Sequence, residues 1–577
     1  MKSFLRTFFA ALFAIMVVLL IGIGAIKSKL DKKAAIKDHS YLVIDIYGPI
    51  HEYCPPGDAF SSVMGGKPET LQRILSNLEM VRVDDRIDGV IVKVSASNSA
   101  GVAKLEEMRN AIKKVRAAGK PVYAYTDNVD KKVLYLASAC DSIFLAPEGY
   151  VVFTGMAVTS MHVKSMLDKL DIKPNLHKIK DYKSAAEMVM REDLSEPARE
   201  NREWLLNELW DITMKAVSEG RGLTEEQLIG DMEYALFRPS EAKAAGLVDE
   251  LLYWAELEGR LMQEGDDKLR TVSQTRYAQE KPEKLGLKGK KKIFVVHAQG
   301  TIGGRQSQVH PLLGVMMGHE TVNADLRRAR FDKDVAGVVF RVDSGGGESL
   351  TSDLISHEVD LLADEKPVVC SMVDVAASGG YMIAYRATKI IADASTITGS
   401  IGSISAKFNM KGFNDKLGIT HDHVTKGPMA LLMSDDRDFT PEEWKRFTDD
   451  HWAGFNAWLS DVADRRGMTF EEAEKLAHGR VWSGRQGKDN GLIDEVGDLD
   501  DAIALVKSLA DIPEDEKVTV VHLPKEKDFL SALFSGEGDA TAALKWVVFR
   551  LLHDELSESI SRAPAGYTYM MDPITVE

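Results

Sequence analysis

Four short segments gather the residue types that hydrolytic chemistry uses. RVDSGGGESLTSDLI (341–355) ends an apolar run and opens a helical pattern, with Gly345, Gly346 and Gly347 at the turn. VAASGGYMIAY (375–385) sets Ser378-Gly379-Gly380 before a further helix, and STITGSIG (395–402) presents Ser400 between Gly399 and, two residues on, Gly402. KIKDYKSAAEMVMREDLSEPARE (178–200) puts Lys183 beside Tyr182 and two alanines. Glycines at a strand-to-helix turn let the backbone approach a ligand closely and aim N–H groups outward. That suits either a phosphate cradle or an oxyanion hole. No GxxxxGK[ST] loop occurs and no GxGxxG follows the first strand, so the oxyanion hole is favoured. In that reading the N–H of Gly346 or Gly347, with that of Ile401 after the serine, holds the developing negative oxygen. Losing one such donor costs about 10²–10³ in rate. The bland alternative is that these glycines only permit tight helix–strand packing.

A nucleophilic serine needs a base. None of the histidines between 292 and 510 sits in a motif that presents it to Ser400. Lysine serves only when buried, because desolvation lowers its pKa and leaves a neutral amine near pH 7–8. Lys183 has the setting for this. The corresponding second-half segment, 423–443, carries Lys426 in different surroundings. Thr420 and Thr425 are candidate hydrogen-bond partners of the amine. Ser378, directly before a helical run, reads as an N-cap, and Asp343 as either an orienter of a loop amide or a solvated strand-end carboxylate. No His/Cys cluster suggests a metal, and no cofactor is expected.

The elements that must carry these segments occur twice. DDRIDGVIVKV (84–94) matches DKDVAGVVFRV (332–342), KPVYAY (120–125) matches KPVVCS (366–371), and AAGLVDEL (244–251) matches KDNGLIDEV (488–496). VVFTGMAV (151–158) matches STITGSIG, which pairs Gly155 with Gly399 and sets Met156 where the second half has Ser400. The offsets stay within 244–248 residues, so the chain reads as one duplicated unit of about 220 residues. Continuous β-branched runs such as YLVIDIYG, GVIVKV and IFVVHAQG suit strands buried on both faces of a parallel sheet, and KLEEMRNAIKKVRAAGK (104–120) has helical spacing. Strand alternating with helix implies an α/β fold. The expected division is an anchor over 1–40, a first repeat over 41–265, a lysine-rich linker over 266–291, a second repeat over 292–510 and a tail over 511–577. Within the tail, KWVVFRLLHDEL (545–556) reads as an amphipathic helix.

Lys plus Arg is 72 and Asp plus Glu 88, a net charge of −16 with pI near 5.5, so a nucleic-acid partner is not expected. Three cysteines cannot build a disulfide framework. Phe8 to Ile26 is an uncharged run of 19 residues behind Lys2 and Arg6. It covers roughly 28 Å as a helix, close to the bilayer's hydrocarbon thickness, and no small-x-small exit follows it. It is therefore expected to be a retained transmembrane anchor.

The segments TGSIG (398–402), ASGGYMIA (377–384), DSGGG (343–347) and DYKSAAE (181–187) together resemble the signal peptide peptidase A family, the long form of protease IV. The resemblance covers nearly the whole chain, the duplication and N-terminal run included. It departs at Gly345, where the family usually has proline. It implies two tandem β-β-α superhelix domains of the Clp protease and crotonase type. It also implies a Ser/Lys dyad, with Ser400 as nucleophile and Lys183 as general base, and an oxyanion hole from Gly346 or Gly347 and Ile401. Implied too are a homotetramer, a bacterial inner-membrane location with periplasmic catalytic domains, and signal-peptide fragments as substrates, in a groove lined by Met382, Ile401 and Ile404. Two rival readings are a crotonase-like acyl-CoA enzyme using Glu348 or Asp343, and a non-catalytic membrane scaffold.

Overall fold

The computed structural model describes residues 35–55, 69–310 and 313–525. The apolar run 8–26 and the segment 545–556 lie outside these residues. Among the described residues no helix is long and apolar enough to cross a membrane.

In the first half, strands β1 (Ser40–Ile46), β2 (Ile87–Val94), β3 (Val122–Val129) and β4 (Ser142–Val152) pair in parallel in the order β4-β3-β2-β1. Helices α1 (Leu71–Val81), α2 (Val102–Ala117) and α3 (Lys131–Ala137) lie between successive strands. The apolar runs of the strands meet the helices' buried faces, so Ile44, Val90, Val92, Leu78, Met108 and Val115 share one core. The two-residue strand Leu236–Phe237 pairs antiparallel with the end of β4. Strand β5 (Lys173–Lys178) leaves the sheet, helix α4 (Glu196–Arg221) follows, and β6 (Thr271–Ser273) lies parallel to β1 on the far edge.

The second half repeats this order. Strands β7 (Lys292–Gln299), β8 (Val335–Ser344), β9 (Val368–Ala377) and β10 (Ile397–Gly399) form the row β10-β9-β8-β7. Helix α5 (Ser349–Ala363) follows β8, and the single-turn helix α6 (Gly379–Met382) follows β9. Strand β11 (Ile404–Asn409) leaves this sheet too. Strand β12 (Val481–Ser483) pairs antiparallel with β10, and β13 (Thr519–Leu523) lies parallel to β7. The result is two mixed sheets in an α/β fold.

Three features differ from the sequence expectation. Part of the stretch read as a linker is built into the first sheet: β6 covers the open edge of β1, and the fully buried Tyr277 donates to Asp84 Oδ2 at 3.0 Å. The start of the stretch read as a tail supplies β13 for the same reason, since the apolar strand β7 has a free edge whose backbone groups need partners. The repeat register also shifts. Phe153 N–H bonds Ala235 O just beyond the pairs Val151–Phe237 and Val152–Leu236, while Ser400 N–H bonds Arg480 O just beyond Gly399–Val481. The place of Ser400 in the first half is therefore at the end of β4, at Val152 or Phe153, and not at Met156. The shared Thr-Gly letters of 154–155 and 398–399 do not mark equivalent places, because Gly155 lies in a loop beyond the strand.

Among the described residues the contacts that tie the halves together include a shared ladder, an amide pair and a buried ion triad. β5 and β11 pair antiparallel from Ile404–Lys178 to Asn409–Lys173, and Ile179 N–H extends the ladder to Ser403 O at 3.0 Å. Asn201 on α4 exchanges two bonds of 3.0 Å with the backbone of Val481. Arg341 on β8, fully buried, reaches Glu52 at 2.8 Å and Glu107 on α2 at 2.6 Å.

Candidate active site

The ladder of β5 and β11 brings Lys183 to the second half. Five residues past β5, its amine lies in a pocket closed by the 478–480 segment. Tyr182 N–H bonds His478 O at 3.0 Å, and a Cβ at Gly479 (φ +78°) would fall 2.5 Å from Lys183 N, so only glycine lets the segment pass this close. Arg480 then stacks over Tyr182 and Trp204, at 4.5 and 4.1 Å. Lys183 is 7% exposed.

Within this pocket Lys183 Nζ donates to Ser378 Oγ at 2.9 Å, to Ser400 O at 2.9 Å and to Ser400 Oγ at 3.0 Å. Among the described residues no carboxylate pairs with it. Burial alone pulls the amine from 10.5 down to about 7. When protonated, the ammonium matches its three donors to three acceptors. Once neutral, it keeps two donors and turns its lone pair toward one of the two hydroxyls. Two serines therefore compete for one base.

The glycine loop distinguishes them. Gly346 (φ +103°) passes over the turn at the end of β9: a Cβ there would fall 2.6 Å from Gly379 N and 2.9 Å from Ser378 Cβ. A Cβ at Gly379 would lie 3.0 Å from Gly347 N, so the amides of Gly347 and Gly379 are neighbours beside Ser378. Neither N–H donates to any group among the described residues. The N–H of Gly346 is already taken by Ser344 Oγ at 3.1 Å. Two free donors beside a serine at the N-terminus of a helix can hold a developing oxyanion.

Ser378 itself has φ 56°, ψ −118°, a conformation that a non-glycine residue adopts at a cost of about 1–3 kcal/mol. Its side chain caps nothing in α6. The N-cap expectation therefore fails, since the hydroxyl turns to Lys183 instead of back to the helix. A strained serine between a strand and a helix is the geometry that exposes a nucleophile in other hydrolase folds. Ser400 is also left-handed (φ +50°), but its carbonyl and hydroxyl both face Lys183 and its N–H is bound to Arg480 O at 2.7 Å.

The family model for peptidase family S49 matches residues 114–268 and 360–513. The chain is 32% identical over 494 residues to "Serine protease SPPA, chloroplastic" of Arabidopsis thaliana, covering 85% of this chain and 72% of that protein. It is 30% identical over 539 residues to "Protease 4" of Salmonella typhi, covering 89% and 85%. The chain belongs to peptidase family S49. It is a serine peptidase. Among solved structures, the S97A mutant of the 1510-N membrane-bound stomatin-specific protease aligns at 14% identity with a TM-score of 0.26, covering 41% of this chain and 99% of that one. ClpP1 from Listeria monocytogenes aligns at 13% with 0.22, covering 36% and 94%.

For an S49 peptidase the two matches divide the site: Lys183 falls in the first, Ser378 and Ser400 in the second. Lys183 and Ser400 meet, whereas the expected oxyanion set divides between two turns. Gly347 joins Gly379 at the Ser378 turn, and Ile401 belongs to the Ser400 turn with its side chain fully buried. Ile401 therefore cannot line an open groove, while Met382 and Ile404 are partly exposed. A Cβ at Gly345 would meet nothing within 4 Å, so packing does not demand glycine where the family has proline. Lys426, Thr420 and Thr425 are exposed and take no part in the site. The sequence reading gives Ser378 a capping role and no role to Gly379, whereas the structure sets both against Lys183 and Gly347. Their signal was available: SGG before a helix repeats the chemistry of SGGG before α5.

Proposed function

We propose that the chain is a membrane-anchored endopeptidase that degrades cleaved signal peptides and other short apolar peptides, with Ser378 as nucleophile, Lys183 as general base and Ser400 holding that base in place. The observation that carries this reading is the amine of Lys183 at 2.9 Å from the hydroxyl of Ser378, beside the free amides of Gly347 and Gly379. Ser378 Oγ attacks the scissile carbonyl carbon and its proton passes to Lys183 Nζ. The carbonyl oxygen takes the negative charge between the N–H groups of Gly347 and Gly379. The intermediate collapses as Lys183 returns the proton to the leaving amine. A water molecule then gives a proton to Lys183 and attacks the acyl carbon; the ester bond to Ser378 Oγ breaks, and Lys183 returns the proton to that oxygen.

The alternative, Ser400 as nucleophile, is supported by its hydroxyl at 3.0 Å from the same amine. It lacks an oxyanion site of comparable geometry, because the glycine loop lies over Ser378. Labelling with a fluorophosphonate followed by peptide mapping decides between them. Label on Ser378 is expected; label on Ser400 overturns the assignment.

The finer reading includes two copies of one ancestral unit, a periplasmic catalytic body held at a bacterial inner membrane by residues 8–26, and a homotetramer. The 19-residue apolar run supports the anchor, and the matching strand orders support the duplication. Partition of the full chain into detergent, against a chain beginning at residue 35, tests the anchor.

A further inference from the structure

We propose that Lys104, a residue of the first half, is a positioning residue that sets the separation of the oxyanion loop and the nucleophile turn. The inference rests on the reading of Ser378 given above. β8 and β9 pair steadily from Val338–Val368 to Val342–Met372, and the next pair is Ser344–Ala376. β9 therefore carries two extra residues, and the strands part where the ladder would otherwise set the spacing of their loops. Asp343 and Asp374 stand on either side of this gap. Asp343 comes three residues before Gly346, and Asp374 four before Ser378.

Lys104 Nζ spans the gap, at 2.7 Å from Asp343 Oδ2 and 2.9 Å from Asp374 Oδ2. Every remaining bond of the cluster stiffens it. Asp374 accepts the N–H groups of Lys104 at 3.1 Å and Gly101 at 3.2 Å, so it also caps the start of α2. Asp343 Oδ1 accepts Val375 N–H at 3.3 Å, in place of a lost ladder bond. The side chains are 10–15% exposed. Without the amine nothing bridges the two carboxylates, and one of them takes up a proton to relieve the like charge, so the tie between the strands is lost.

Along β8, Arg341 and Asp343 point to one face, and the first half meets them with Glu107 and Lys104, the opposite signs one helical turn apart on α2. A strand slip would set like charges against each other, so the pattern fixes register as well as spacing. A cavity of about 520 Å³ lined by Lys104, Asp343, Asp374, Gly345 and Gly346 lies alongside. The loop therefore has room to move once the amine is gone.

The test is Lys104→Met in the full chain. A shift of about 1 Å in a catalytic group lowers rate by about 10², so kcat is expected to fall by that order with KM within threefold of the parent. Affinity for a peptide aldehyde, which engages the oxyanion donors, is expected to fall with kcat, while affinity for the matching peptide alcohol holds. The acid limb of kcat/KM is expected to stay near pH 7, because Lys183 is untouched. The double variant with Asp343→Asn is expected to lose no more than Lys104→Met alone. Unchanged kcat in a folded variant, equal weakening of aldehyde and alcohol, or a displaced acid limb overturns the proposal. Should Lys104→Met fail to fold, Asp374→Asn is read by the same aldehyde-to-alcohol ratio. That ratio concerns the loop; mapping of the fluorophosphonate label concerns which serine reacts, so the two ideas fail separately.

Discussion

The same strand-to-helix turn occurs in each half and does different work. In the first half, Asp130 ends β3 in an extended conformation (φ −117°, ψ −175°), and its carboxylate caps α3 by accepting Val133 N–H at 2.8 Å. In the second, Ser378 ends β9 at φ 56°, ψ −118° and caps nothing. The neighbouring loops differ in the same sense. Residues 95–99 spend their N–H groups within the loop and on the end of β1, with Asn98 Nδ2 donating to Ser95 O at 2.7 Å, Ser97 N–H to Ser95 Oγ at 3.2 Å and Ser99 N–H to Gly48 O at 3.0 Å. The 345–347 loop leaves the N–H of Gly347 unclaimed among the described residues. A polar group that closes its own hydrogen bonds stabilises the turn; one left open is available to a substrate. The halves have divided stability and chemistry between them, although the first still supplies both amines.

The comparison is broken most severely by exchanging the open hydroxyl. Ser378→Ala is expected to lower kcat by about 10⁴–10⁶ with folding intact, measured on a chromogenic peptide and by circular dichroism. Ser400→Ala is expected to cost about 10–10² and to leave fluorophosphonate labelling of Ser378 in place, since the backbone carbonyl of residue 400 still holds the amine. Equal losses in the two variants would erase the distinction drawn between the turns.

The buried amine sharpens the contrast through pH. Activity is expected to rise tenfold per unit below pH 7 and to level off above it, because the neutral amine is the base. Stability follows the same group. Lys183 titrates near 7 when folded and near 10.5 when unfolded, so the unfolded chain binds more protons between those values and stability rises with pH across that window. Lys183→Met removes this term. Its stabilisation relative to the parent is expected to be larger at pH 6 than at pH 10, by up to about 4 kcal/mol, read from denaturant melts. The smallest effect belongs to the closed turn. Asp130→Ala is expected to cost about 0.5–2 kcal/mol of stability and to leave kcat unchanged.

Much of this was legible in the letters. Lys183 stood out because Tyr182 and two alanines flank it, a setting that suits a buried amine. The parallel strands were readable as apolar runs, and the repeat was readable from its offsets. The choice between serines was not, because Ser378 and Ser400 both neighbour glycines, and a backbone angle decides which hydroxyl is exposed beside free amides. The pairing of β5 with β11 was equally hidden. Both strands are mixed in polarity, and their partner lies in the other half, where no local pattern predicts it. Lys104 reads on a helix as an ordinary solvated charge. Only the widened gap between β8 and β9 gives it two acids to bridge.

That cross-half ladder also sets an order of events during synthesis. Lys183 is made 195 residues before Ser378, and until β11 emerges the ladder that carries the two into reach is missing. A nascent chain, with its own freshly exposed apolar stretches nearby, is thus spared its own hydrolytic power until the strand ending at Asn409 has been made, well into the second half.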